Sequence, residues 1–154
     1  MQKLFIAFTL STLFFLISCT APMAIPYERS GKVTCSKYEE NVIHIVSEGR
    51  AESTGKASNY AERNAFENLL FKGIPASNQE SPIVPNESES LRKNGGYFSD
   101  LLNNQRYQRF ILKSEIAEDV ISSKVHFIKQ NMSIDLKALR KDLEQNKVIR
   151  KFGL

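Results

Sequence analysis

The sequence predicts an α+β domain, with helices packed on one face of a small, mostly antiparallel sheet, and three observations predict it. A β-branched run, Val42-Ile43-His44-Ile45-Val46, reads as a strand, and Ala57, Ala61, Ala65 and Leu69 recur at i+4 as on a helix. Two later stretches, 110–120 and 124–134, alternate apolar and polar side chains as half-buried strands do. The expected order is strand, helix, loop with a short helix, strand, strand, helix.

The first strand is expected over 41–48, either buried on both faces or central in the sheet, with a short edge strand at 33–38 ahead of it. After Gly49 the period changes to that of a helix over 53–72, where Tyr60, Phe66 and Leu70 flank the alanine stripe. Ser53 and Thr54 can cap its start, and Gly73 followed by Ile74-Pro75 stops it. Three alanines on the buried side let the axis lie close to a sheet. The same count places Asn59, Glu62, Arg63 and Glu67 in solvent.

Residues 74–96 hold three of the 5 prolines and the polar run NESESLRKNGG, so they read as a long surface loop and a place for partner contacts. A short second helix is expected within 97–108, resting on Phe98, Leu101 and Leu102. In the strand at 110–120, Phe110, Leu112 and Ile116 alternate with Lys113 and Glu115; in the strand at 124–134, Ile128, Met132 and Ile134 share a face against Lys129 and Asn131. Asp135 caps the last helix, whose face is Leu136, Leu139 and Leu143, with Arg140, Lys141, Asp142 and Glu144 outside. Asn146 is the expected left-handed residue at its end, after which Val148, Ile149 and Phe152 return to the core.

The 154 residues are 42% hydrophobic and 25% charged, ordinary for a soluble domain, but residues 4–18, LFIAFTLSTLFFLIS, carry no charge and follow Lys3. At about fifteen residues the run is shorter than the roughly twenty that span a bilayer and has the geometry of a signal peptide over 1–18. Its end, Leu16-Ile17-Ser18-Cys19, resembles the lipobox of bacterial lipoproteins. That resemblance implies cleavage before Cys19 and a diacylglycerol on its thiol; two or three acyl chains anchor a protein stably where one does not. Thr20 is not the aspartate that retains lipoproteins at the inner membrane, so by resemblance to the sorting rule of double-membraned bacteria the expected location is the outer membrane, on either side. Residues 19–32 then form a lipidated tether and 33–154 a single domain. A plain secretory leader, a membrane helix, or a disulfide between Cys19 and Cys35 are the competing readings. With Cys19 lipidated, Cys35 is a free, partly buried thiol.

Charge and motifs exclude several classes. The 21 Lys and Arg against 17 Asp and Glu are spread along the chain, with no basic stripe for a nucleic acid. No catalytic, metal-binding or phosphate-binding motif is present, and no cofactor is expected. Three clusters can still be weighed. His44 and His126 with Glu48 could make a two-histidine, one-carboxylate metal site, or be ordinary core and rim residues. Glu115, Glu118 and Asp119 near Lys113 and Lys124 could be paired carboxylates, or a solvated strand end. Arg106, Tyr107 and Arg109 could bind an anionic sugar, a phospholipid head group or a nucleic acid, or be a solvated helix face.

Gly49-Arg50-Ala51 after a first strand, AERNAFENLLFKGIP at 61–75, the strand VHFIKQNMSID and the ending LKALRKDLEQNKVIRKFGL resemble small outer-membrane lipoproteins of the Bacteroidetes type, over most of 40–154. More distantly, the element order and alanine spacing are similar to small outer-membrane lipoproteins related to the amino-terminal domain of a flagellar ring-assembly protein. Where that family often closes its last helix with glycine, this chain has Asn146. The resemblance implies an envelope protein with an assembly or interaction role and no catalytic residues to carry over. The first expectation is thus a non-catalytic, lipid-anchored module that self-associates or docks on another envelope protein. The second is a ligand-binding or hydrolytic lipoprotein with the 74–100 loop as a lid, which requires a deep apolar pocket beneath that loop.

Overall fold

The structure is a computed structural model that describes residues 24–30 and 32–151. The leader at 1–18, the lipid-attachment residue Cys19 and Phe152 lie outside the described residues.

Strands β1 (Val33–Tyr38), β2 (Val42–Ala51), β3 (Ile111–Ser122) and β4 (Val125–Asp135) form one antiparallel sheet in the order β1-β2-β4-β3. β2 is an inner strand and runs further than its β-branched run, because Gly49-Arg50-Ala51 stay in register with β4 up to Ala51 opposite His126. Ile43, Ile45, Ser47 and Ala51 point to the buried face, while His44, Glu48 and Arg50 share the opposite face with Lys129 and Asn131 of β4. This sheet is therefore buried on one side only.

Helix α1 (Thr54–Phe71) lies across the buried face. Ser53 accepts from the Lys56 amide at its start, and Gly73 at φ +83° takes the left-handed conformation at its end. Ala57, Ala61 and Ala65 are fully buried, so small side chains do bring the axis close to the strands. The approach is closest at Gly49, where a Cβ atom would overlap the Ala57 carbonyl and lie 2.5 Å from the Ala61 nitrogen. Ser47 Oγ completes the contact by donating to the Ala61 carbonyl at 2.7 Å.

Two residues expected in solvent are buried instead. Glu62 accepts from Gln108 at 3.0 Å and Gln130 at 3.2 Å, and Glu67 accepts from Tyr27 at 2.9 Å, Arg29 at 2.6 Å and Arg63 at 2.9 Å. Helical periodicity places both on the outer flank; segments far away in sequence then cover that flank. Residues 24–30, expected as part of a free tether, supply much of the cover. Besides the Glu67 bonds, the Ser30 amide donates to Asn64 Oδ1 at 3.2 Å, the Tyr60 hydroxyl donates to the Ile25 carbonyl at 3.2 Å, and Arg63 stacks over the Tyr27 ring at 4.3 Å. This strap belongs to the fold.

The expected loop at 74–96 is also structured. Ile74, Ile83 and Val84 are buried, the Ile83 and Val84 amides donate to the Leu69 and Leu70 carbonyls, and Asn86 caps a helix α2 (Glu87–Lys93). A short helix α3 (Gly95–Phe98) follows, continued by a π turn at Ser99–Asn103 and a 3-10 turn at Arg106–Phe110. Phe98, Leu101 and Leu102 enter the core as expected, and Tyr107 stacks on Phe66 at 4.9 Å.

β4 keeps its expected alternation, with Ile128, Met132 and Ile134 buried. β3 does not: Leu112 is 60% and Ile116 41% exposed. Bulges between Ile111 and Lys113 and between Ile116 and Glu118 break the period, and β3 is an edge strand. Helix α4 (Leu136–Gln145) is capped by Asp135 and buries Leu136, Leu139 and Leu143. Asp142, expected outside, is buried among arginines, and the left-handed residue after the helix is Lys147 at φ 59° rather than Asn146. Val148 and Ile149 return to the core.

Candidate functional site

The most accessible chemistry of the described chain lies along β3 and its hairpin with β4. Among the described residues β3 pairs with β4 alone, which leaves its other edge free over the strand's 12 residues, and every residue from Leu112 to the strand's end is exposed. Leu112, Ile116, Val120 at 48% and Ile121 at 64% are large apolar groups on this edge. Across the hairpin, Phe127, 44% exposed, stands opposite Val120 on the uncovered sheet face. Ser123 and Lys124, both at positive φ, close the hairpin in the two-residue turn that matches strand twist. A long, flat, apolar edge is a template for another strand; lysines, glutamates and bulges restrict what pairs with it. β3 has Lys113, Glu115, Glu118 and both bulges.

Beside the hairpin, a groove of about 460 Å³ opens between the strap and the sheet. Val120, Phe127 and Ile128 contribute its apolar lining, and the charges around it are paired: Lys32 with Glu48 at 3.3 Å, Arg50 with Glu28 at 3.2 Å and Lys129 with Glu118 at 2.7 Å. The segment expected as a lid does not line this groove; it lies on the filled core around Ile74, Ile83 and Val84. The pocket that a lid mechanism needs beneath 74–100 is replaced by side chains.

The three clusters weighed from sequence resolve into separate local structures. His44 and His126 do not meet: His44 stands opposite Ser133 on the uncovered face, and His126 opposite Ala51 on the helix face, seven residues along β4 or about 23 Å away. His44 Nδ1 pairs with Ser133 Oγ at 2.8 Å and its Nε2 lies 3.7 Å from Glu39, whereas His126 Nδ1 pairs with Asp119 at 3.0 Å beside Thr54. Glu48 bridges to Lys32. No group of three or more potential ligands among the described residues is arranged to hold a metal ion.

The carboxylates of β3 are likewise divided. Glu115 pairs with Lys113 at 3.2 Å, Glu118 with Lys129, and Asp119 accepts from Thr54 at 2.9 Å. Arg106 and Arg109 both turn inward to Asp142, where Arg106 Nη1 lies 3.0 Å from Oδ2 and the Tyr97 hydroxyl donates at 2.7 Å. Burial, reinforced by Asp142, pushes the Tyr97 hydroxyl well above its ordinary pKa. Tyr107 is buried, donates to the Asn59 carbonyl at 3.2 Å, and is pushed up chiefly by burial. This cluster is a brace between α4 and the two turns, with both arginines paired to Asp142. Cys35 is a free thiol in β1 whose pKa is raised by burial, with Sγ donating to the Lys37 carbonyl at 3.4 Å.

Neither the strap nor the exposure of β3 is legible in the local sequence. The bulges carry no local sequence signal, and the strap's anchors on Glu67 and Asn64 are more than thirty residues distant. No helix of the described residues is long and apolar enough to cross a membrane. No protein family, curated protein or solved structure matches this chain.

Proposed function

We propose that the protein is a lipid-anchored component of the bacterial cell envelope, held at the outer membrane through Cys19, and that its domain is a non-catalytic interaction module. Leu16-Ile17-Ser18-Cys19 after an uncharged apolar run supports the anchor. What carries the interaction role is the free β3 edge, with four large apolar side chains exposed along one strand. Strand addition to such an edge draws affinity from main-chain hydrogen bonds and specificity from alternate side chains.

The partner is a different envelope protein offering an extended segment. Antiparallel pairing of β3 with β3 of a second copy would relate the copies by a two-fold axis between the paired strands. Their hairpin turns, and the strap starts beside them, would then lie at opposite ends of the pair, so two anchors in one bilayer would require the strands to lie along the membrane instead of standing on it.

Two measurements test this reading. Intact mass of the mature protein is expected to show a chain beginning at Cys19 with a diacylglyceryl group; an unmodified or disulfide-linked Cys19 overturns the anchor. A photocrosslinking residue at Leu112 or Ile116 in whole envelopes is expected to capture one and the same protein, while one at Lys141 on α4 does not. Equal capture from all three positions, or none from β3, overturns the edge as the docking site.

A further inference from the structure

We propose that the β3–β4 hairpin turn is a lipid contact, so that the domain stands on the bilayer with Ile121 and Lys124 at the head-group layer. This inference rests on lipidation of Cys19.

The strap fixes the geometry. The Ile25 amide donates to Glu52 at 3.3 Å and its carbonyl accepts from Tyr60, pinning the start of the described chain beside the end of β2. In the sheet register, Ala51 at that end stands opposite His126, which stands opposite Ile121. The strap therefore begins at the hairpin-turn end of the sheet. Four residues lie between Cys19 and Ala24, so the five steps of chain from one to the other span at most about 18 Å in any conformation. β4, at 11 residues, is about 36 Å long, so an anchored Cys19 cannot reach the opposite end of the sheet while the strap is bound.

The chemistry at this end suits a phospholipid surface. Val120, Ile121 and Phe127 are exposed and apolar. Three of the acidic groups nearby are matched by cations, Glu52 with Lys56, Glu28 with Arg50 and Glu118 with Lys129, and Asp119 is hydrogen-bonded to Thr54 and His126. Lys124 at the tip has no ion pair among the described residues, leaving its ammonium for head-group phosphates while its stem lies along the apolar surface. One isoleucine is far too small an apolar group to hold a free domain on a membrane. Beside a tether it need only act at the high effective concentration the anchor imposes.

The test uses full-length lipidated protein in vesicles of phosphatidylethanolamine and phosphatidylglycerol. In a Cys35→Ala background, a polarity-sensitive fluorophore is attached at Ile121→Cys or, at the opposite end of the sheet, at Lys37→Cys; an alkylated Cys19 takes no label. Quenching by a spin-labelled lipid is expected to be several-fold stronger at 121 than at 37. Equal or weaker quenching at 121 in protein that floats with the vesicles overturns the hairpin contact and leaves the anchor standing. Protein that does not float, and takes label at Cys19, overturns the anchor and this inference with it.

Discussion

Gly49 shows how a single missing side chain sets the distance between two elements. It lies mid-strand, where glycine weakens a sheet by about 0.5–1 kcal/mol relative to alanine, and its own backbone needs no left-handed angle. Its value is space: the Cβ position is taken by the Ala57 carbonyl and the Ala61 backbone. Those are main-chain atoms, so no side-chain rotation relieves the overlap. Gly49→Ala is thus expected to lower stability by about 3 kcal/mol, the upper end of ordinary overpacking, although propensity alone favours alanine. Urea unfolding measures it, and an unchanged midpoint would show that α1 can retreat from β2. The alanines opposite were legible from their spacing. Gly49 was legible as the place where the period changed, but not as a strand residue, since its role depends on a helix that follows it.

At the scale of elements, the ends of α1 and the faces of β4 and α4 follow from local signals: Ser53, Gly73, Asp135, and apolar residues at the right period. Glu67 and Asp142 do not, because each is buried by arginines arriving from other segments. Periodicity assigns a face; it does not say what covers it. Arg29 illustrates the joint that results, bonding Glu67 of α1 through Nε and Glu87 of α2 through both terminal nitrogens, at 2.6 and 3.1 Å. The guanidinium hydrogen bonds hold the Glu87 carboxyl below its ordinary value, against a smaller upward push from burial. A carboxyl depressed in the fold adds stability that is complete above its unfolded pKa of about 4.3 and is lost as pH falls through the depressed folded value. Hydrogen-exchange protection of the Ser30 amide is accordingly expected to drop on acidification through that window. Glu87→Gln should show weaker protection already at neutral pH and a smaller acid step. Protection that follows the same pH course in both proteins would mean that Arg29 holds the strap through Glu67 alone.

Across the whole molecule, the boundary between tether and domain is the point at which sequence and structure part most. Residues 20–32 have two prolines, a Ser-Gly pair and no periodicity, which is how a linker reads, because strap contacts are made singly by Tyr27, Arg29 and Ser30 to partners 34 to 58 positions away. The α+β class was legible because the sheet and helices each repeat a pattern; the strap repeats none. Its energetic weight nevertheless falls on a buried charge. In a chain that begins at Lys32, Glu67 keeps Arg63 but loses Arg29 and Tyr27, and Asn64 loses its bonds to Ser30. Removing one partner of a buried ion pair costs about 3–5 kcal/mol, and the remaining arginine places this case near 3. A chain beginning at Thr20 is therefore expected to unfold in urea with a free energy about 3 kcal/mol above that of a chain beginning at Lys32, with a slightly larger denaturant slope from the surface that the strap covers. Equal midpoints would return residues 24–30 to the role of a spacer, and with them would go the short reach between Cys19 and the hairpin turn. The same segment thus decides two quantities at once, the stability of the fold and the distance at which a lipid anchor would hold it.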